Sequence, residues 1–370
     1  MSNPTVDVLQ QRMAALDGGV GAVAFSSGTA AIMGLIMTVC QSGDEIIAAN
    51  NLYGGTIGSL SGTMTGMGFH SHFVNPRDLE QMESLINEKT KMIFVEAVGN
   101  PNGDMLDFEA ISTICKKHQV LFVVDNTTPT PYLFQPILHG ADIVVYSTTK
   151  YIAGHGNVMG GIVVDSGKFD WHNERYPLFT TPDKAYHDII YADMNEGALC
   201  TKMIAKTLRD LGGGCMSPFN AYMTLLGLET LSLRMDKHVS NSRKIAQFLK
   251  TSKAVEWVSY AELEDHDSYE LCQKYFPRGF GGLFTFGVKG GLTGGKTVIN
   301  NIKLFTHVTN FADSRSLLTH PASTTHAQMS EEERLAGGVQ QGTIRISVGL
   351  ENPPIDLIDD LKQVFDKIEA

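Results

Sequence analysis

A lysine flanked by hydroxyl side chains, in Ser147-Thr-Thr-Lys150-Tyr-Ile-Ala-Gly-His-Gly156, follows the apolar run from Asp142 to Tyr146. The run reads as a short buried strand, and the small, Gly-containing residues after the lysine read as a loop. A strand therefore delivers Lys150 to its own C-terminal end, the edge of an open α/β sheet where ligands bind. A lysine held partly out of water there sheds its proton more easily and becomes a nucleophile for a carbonyl carbon. A lone lysine in a polar loop is usually a solvated surface charge, and three other stretches argue against that here. Asp125 ends a second apolar run, Val120-Leu-Phe-Val-Val124, and puts a carboxylate at a strand end; alone it could be an Asx turn or a helix cap. Ser26-Ser27-Gly28-Thr29 opens a helix, whose start offers backbone N–H groups and a positive dipole end to an anion. Alone, that too reads as an ordinary N-cap. Tyr53-Gly-Gly-Thr56 follows the run Glu45-Ile-Ile-Ala-Ala49 and supplies an aromatic face. Together these are an amine, a carboxylate for a ring nitrogen, a phosphate cradle and an aromatic plate, the parts that a pyridoxal 5'-phosphate site needs.

These residues lie in long stretches that resemble the Cys/Met-metabolism family of pyridoxal-phosphate enzymes, of fold type I, from Asn3 to the C-terminus. Within that family the chain is most similar to O-acetylhomoserine sulfhydrylases. The likeness is carried by DSGKFDW (165–171), LRDLGGGCMSPFNAYMTLLGLETLSLRM (208–235), HPASTTH (320–326) and RISVGLEN (345–352). The resemblance implies a role for each matching position. Lys150 is the Schiff-base lysine, Asp125 the partner of the ring nitrogen, and Tyr53 the residue stacked on the ring near the leaving group. Gly28, Thr29, Ser147 and Thr149 hold the phosphate, Thr127 lies in the loop beside the cofactor, and Asn100 hydrogen-bonds the phenolic oxygen. Arg345 sits in the apolar run TIRISVGL, and a buried arginine needs an anion that fits its planar fork. Glu351 is one internal partner; the resemblance implies instead the α-carboxylate of an amino-acid substrate, with Asn310 assisting.

The implied reaction is γ-replacement on O-acetylhomoserine by a sulfur nucleophile, giving homocysteine and acetate in methionine biosynthesis. Lys150 takes the α-proton and relays protons at the β-carbon, while Asp125 keeps the ring an electron sink. Cystathionine γ-synthase, with cysteine as nucleophile, and methionine γ-lyase stay open as alternatives. Similar lyases carry a cysteine two residues after the tyrosine, where this chain has Gly55. A weakly active cofactor-binding relative is a further alternative, and the sequence leaves both the sulfur donor and the acyl group undecided.

Positioning such residues takes alternating strands and helices. HSHFV (70–74), MIFVE (92–96) and GGIVVD (160–165) read as further strands, with helices over 4–17, from Gly28 to about Val39, over 77–89 and over 108–118. The alternation predicts an α/β fold with parallel pairing, right-handed crossovers and a mostly parallel sheet of about seven strands, as expected of a fold-type-I transferase. From about residue 185 the chain turns helical, clearest over 203–212 and 228–250. After Thr251, short strands in AVEWVSY, GLFTFGV and GTIRISVGL and a final amphipathic helix predict a smaller C-terminal α+β domain. The expected division is a large cofactor-binding domain over 1–235 and a smaller domain over 236–370.

Composition narrows the partners. The chain has 370 residues, 43% of them hydrophobic, enough to fill the cores of two or three domains. A formal charge of −11 argues against nucleic acid or an anionic membrane. Five scattered cysteines without a C-x-x-C pair point away from a disulfide framework or a zinc site, so no metal is expected and a reduced, cytoplasmic protein is. No signal peptide is read, and no apolar run approaches the ~20 residues of a transmembrane helix; a soluble protein is expected. One motif competes: GGLTGGKT (290–297) satisfies G-x-x-x-x-G-K-T. It falls late in the chain with no later apolar run ending in an aspartate for magnesium, and it reads as a Gly-rich loop at a strand–helix junction. Asn3-Pro4-Thr5 matches the family, whereas the Tyr-x-Arg that similar enzymes carry just ahead would fall before Met1. In those enzymes the pair reaches the phosphate in the neighbouring subunit of a homotetramer. A homo-oligomer, dimer or tetramer, with weaker phosphate contacts and looser assembly is therefore expected.

Overall fold

Asn3 starts the first helix: its side chain accepts the Thr5 N–H at 3.0 Å, and Pro4 fills a first-turn position that needs no N–H. That helix is α1 (Pro4–Asp17). The structure, a computed structural model, describes residues 3–99, 103–324, 327, 331 and 338–369. The chain divides into two compact units. The first comprises Met1–Ala97, Leu106–Ala153 and Asn157–Glu229. After α1 it carries β1 (Gly21–Phe25), α2 (Gly28–Val39), β2 (Glu45–Ala49), α3 (Gly54–Gly58), β3 (His70–Val74) and β4 (Thr90–Glu96). Then follow α4 (Phe108–His118), β5 (Leu121–Asp125), β6 (Ile143–Tyr146), β7 (Gly161–Asp165) and α5 (Pro218–Glu229), with shorter helical turns between.

Seven strands form one sheet in the order β1-β7-β6-β5-β4-β2-β3. From β6 to β3 every pair is parallel, as strands alternating with helices require. The C-terminal ends of β2, β4, β5 and β6 therefore share one edge. β7 runs antiparallel to both β6 and β1. The connection from Ser147 to Gly160 contains no crossover helix, so the chain turns straight back. Strands β5 and β6 are buried along their whole length, the pattern of a sheet covered on both faces. The helix expected over 77–89 covers only Leu79–Ser84. Asn87 ends it: its side chain donates to Glu45 at 2.8 Å and accepts the Lys89 N–H at 2.8 Å, which turns the chain toward β4.

The second unit comprises Val98–Met105, Gly154–Gly156 and Thr230–Ala370. It contains α6 (Leu231–Thr251), β8 (Val255–Ser259), β9 (Leu283–Val288), α7 (Gly291–Asn301), β10 (Thr306–His307), β11 (Leu317–Thr319), β12 (Thr343–Ser347) and α8 (Ile355–Glu369). Its five strands pair in the order β10-β11-β12-β9-β8, antiparallel except for β10 with β11. The stretch GGLTGGKT is not the loop expected: α7 begins at Gly291, and the Gly294 N–H is spent on the Gly290 carbonyl at 3.2 Å. Peptide N–H groups bonded inside a helix cannot cradle a phosphate. Among the described residues, no helix is long and apolar enough to cross a membrane.

A buried polar chain pins the ends of β5 and β6. Tyr146 donates to Asp17 Oδ1 at 2.7 Å, and Asn126 donates to the Tyr146 oxygen at 2.9 Å and to the Phe134 carbonyl at 2.8 Å. Burial pushes the Asp17 carboxyl up to about 7, against the Tyr146 hydrogen bond that favours its charged form. The folded state then holds a proton that the unfolded chain releases near pH 4, so the contribution of Asp17 to stability is most favourable at low pH and falls as pH rises from about 4 to about 7. Asp17→Asn keeps the oxygen that Tyr146 needs and has no proton to lose. Between pH 5 and pH 8 the variant should lose less stability in urea than the parent, by about 2 kcal/mol. An unchanged difference would contradict this account of Asp17.

Candidate active site

The first unit gathers its chemistry at the shared edge. Asp125 closes β5, and two residues on the chain bends back: the Thr127 N–H bonds Asp125 Oδ1 at 3.0 Å. The Thr127 hydroxyl accepts the Ser147 N–H at 2.8 Å, so the exits of β5 and β6 are tied together. The Asx turn and the functional reading of Asp125 thus coexist. Asp125 is buried, and burial pushes its carboxyl up to about 6, while the Thr127 contacts favour the charged form. Among the described residues, no cationic side chain pairs with it.

Lys150 stands half-buried in the turn leaving β6, its N–H bonded to the Ser147 carbonyl at 3.2 Å. Thr149 braces that turn. Its hydroxyl donates to the Gly160 carbonyl at 3.2 Å and accepts the Gly160 N–H at 3.1 Å. The Ser147 hydroxyl stands elsewhere, against the start of α2. A Cβ built on Gly28 would lie 2.6 Å from Ser147 Cβ and 2.9 Å from its Oγ. Only glycine lets the end of β6 come that close to the helix. Ser27 caps α2 by accepting the Ala30 N–H at 3.1 Å and the Ala31 N–H through its carbonyl at 3.0 Å. The Gly28 and Thr29 N–H groups precede these and have no carbonyl within the helix to bond. With the Ser147 hydroxyl beside them, these groups could hold an anion at the start of a 12-residue helix. Gly28→Ala should weaken phosphate-dependent cofactor binding by about tenfold or more, the effect of about 1.4 kcal/mol. Titration of the cofactor-free protein checks it, and an unchanged affinity would contradict the cradle.

Tyr53 immediately precedes α3, with its ring half in solvent. Its N–H donates to Glu96 Oε1 at 2.5 Å. The ring folds over Gly55, where a Cβ would lie 2.4 Å from a ring carbon. The cysteine that similar lyases carry at this position would push the ring aside. Glu96 is a residue that motif reading passed over. The signal was present, an acid closing a buried strand, as Asp125 does.

Asn100 lies outside the described residues. Asn310 and Arg345 belong to the second unit. Arg345 is half-buried in β12 and donates through Nη2 to the Thr309 carbonyl at 2.6 Å, which brings it to the segment holding Asn310. Glu351, its alternative partner, instead accepts the Ser316 N–H at 2.6 Å and the Ser316 hydroxyl at 2.8 Å.

The edge of the first unit suits a ligand that is anionic at one end, cationic at the other and electrophilic toward an amine. Pyridoxal phosphate has all three properties, and the cradle at Gly28 and the buried carboxylate without a cation fit its phosphate and its protonated ring nitrogen. The fold and site define a pyridoxal-phosphate enzyme. The profile of the Cys/Met metabolism PLP-dependent enzymes matches residues 1–366, and the chain belongs to that family. It is 44% identical to the sulfhydrylase FUB7 of Fusarium oxysporum f. sp. lycopersici, over 99% of this chain and 85% of that protein. It is 42% identical to the O-acetyl-L-homoserine sulfhydrylase of Leptospira meyeri, over 100% of this chain and 85% of that one. A crystal structure from Campylobacter jejuni, described as an O-acetylhomoserine (thiol)-lyase with a pyridoxyl-lysine phosphate, superposes with a TM-score of 0.93 at 38% identity. That likeness covers 99% of this chain and 87% of the other.

Proposed function

We propose that this chain exchanges the acetate of O-acetylhomoserine for sulfide: O-acetylhomoserine and hydrogen sulfide give homocysteine and acetate. The observation that carries the reading is the near full-length likeness to relatives named as sulfhydrylases of this substrate. When bound, pyridoxal phosphate supplies an aldehyde for the substrate's amine and a ring that takes up the electron pair freed at the α-carbon. Gly28, Thr29, Ser147 and Thr149 would hold its phosphate. Asp125 places an unscreened negative charge at the ring nitrogen and keeps that nitrogen protonated. Lys150, on a flexible four-carbon stem, removes the proton at the α-carbon and returns one at the β-carbon. Tyr53 would supply an aromatic face to the ring and a hydroxyl for the departure of acetate from the γ-carbon. Arg345 and Asn310 grip the substrate's carboxylate, the anion that a guanidinium fork fits.

Incubation with O-acetylhomoserine, pyridoxal phosphate and either sulfide or cysteine tests the reading. Homocysteine formed with sulfide supports it. Cystathionine from cysteine alone, or methanethiol from methionine alone, would replace it with the synthase or the lyase. Free thiols at all five cysteines suit a reducing cytoplasm. Phe219, Tyr222 and Leu226 are exposed along one face of α5, which supports a homo-oligomer, dimer or tetramer; sedimentation that finds only monomers would refute it.

A further inference from the structure

Glu96 stands between two residues whose roles were assigned separately. It closes β4 in register with Asp125 on the parallel strand β5. Register partners on neighbouring strands point to the same face, with their backbones about 5 Å apart. Its Oε1 also accepts the Tyr53 N–H at 2.5 Å, so the peptide from which the Tyr53 ring hangs is fixed by this carboxyl. The groups acting on Glu96 are thus Asp125 from β5 and the Tyr53 N–H from the start of α3. No ion pair to Glu96 forms among the described residues. A buried and a half-buried carboxyl in register on adjacent strand ends, with no cation paired to either among the described residues, do not both ionise. Thr127 supports the charged form of Asp125 through its N–H and hydroxyl. Burial first, and the Asp125 charge second, drive the Glu96 carboxyl well above the ordinary carboxylate range, against the Tyr53 N–H.

We propose that Glu96 is a positioning residue that works as a neutral carboxylic acid, holding Tyr53 through its oxygen and leaving the negative charge at this edge to Asp125. The proposal rests on the reading of Tyr53 and Asp125 as cofactor residues. Three properties of the reconstituted protein test it in Glu96→Gln and Glu96→Ala: cofactor affinity, turnover, and the pH midpoint of the bound cofactor's visible absorbance. Glutamine keeps the accepting oxygen without charge. Glu96→Gln should stay within about threefold of the parent in affinity and turnover, with an unmoved midpoint. Glu96→Ala frees Tyr53 and should lose about 10- to 100-fold in turnover, with weaker cofactor binding. A glutamine variant as impaired as the alanine variant overturns the proposal. So does a midpoint shift of about one pH unit or more in Glu96→Gln, as loss of an ionised neighbour would produce. An alanine variant equal to the parent overturns it as well, and if that variant does not fold, the glutamine variant decides alone. Failure of the parent itself to take up pyridoxal phosphate would instead overturn the site reading, and the proposal with it.

Discussion

Lys150→Ala will lose the visible absorbance band of the loaded protein, and its turnover will fall by about 10³-fold or more. Two contributions disappear together, the amine that engages the cofactor and the base that moves the substrate's protons. The backbone bonds of the turn do not depend on the amine. The turn at Lys150 is held by its own N–H on the Ser147 carbonyl at 3.2 Å and by the Ala153 N–H on the Thr148 carbonyl at 3.0 Å, and neither bond uses the lysine side chain. Lys150→Arg will be comparably inactive, because a guanidinium keeps its proton and cannot serve as base or nucleophile. Absorption spectra and steady-state rates check both variants. Turnover retained within about tenfold in Lys150→Ala would remove the lysine from the chemistry.

Asp125→Asn separates charge from shape. The amide oxygen can still accept the Thr127 N–H, so the bend tying β5 to β6 survives. What is lost is the negative charge at the ring nitrogen, and turnover should fall by about 10²-fold or more, the scale of a removed preorganised charge. Stability should move the other way. Burial raises the Asp125 carboxyl to about 6, so the folded cofactor-free protein binds a proton that the unfolded chain has already released above about pH 4. Its stability therefore falls as pH rises toward 6, and at pH 8 the buried charge remains as a cost. Asparagine removes that cost. Thermal melts of the cofactor-free proteins at pH 8 should find Asp125→Asn no less stable than the parent, while catalysis collapses. A variant that lost both would point to a structural role for this carboxylate.

The elements that carry the site were readable where local chemistry and tertiary environment agree. Pro4 stood near the start of the helix read over 4–17, which is α1, and the helix read over 108–118 is α4. The unbroken apolar runs of β5 and β6 announced strands buried on both faces. What failed depended on partners distant in the chain. Asn87 ends a helix whose sequence would allow it to continue, because its side chain is drawn to Glu45. The antiparallel direction of β7 follows from the path of residues 147–160, which no strand signal encodes. GGLTGGKT has the letters of a phosphate loop and the hydrogen bonds of a helix. Within the site, Lys150, Asp125 and the start of α2 could be found from motifs. Glu96 carried only the bare signal of an acid closing an apolar run, and its meaning comes from the register that sets it beside Asp125 and from the Tyr53 N–H it holds. Arg345 is less buried than its apolar run implies: the other residues of β12 are buried, while its guanidinium reaches out to the Thr309 carbonyl.

The central claim is that one amine, at the end of β6, carries the cofactor. Borohydride reduction of the loaded protein fixes the cofactor to whichever lysine holds it, and peptide mass spectrometry then locates the added mass. The account predicts a single modified peptide with the pyridoxyl group on Lys150. The mass on any other lysine, or on none, would contradict it.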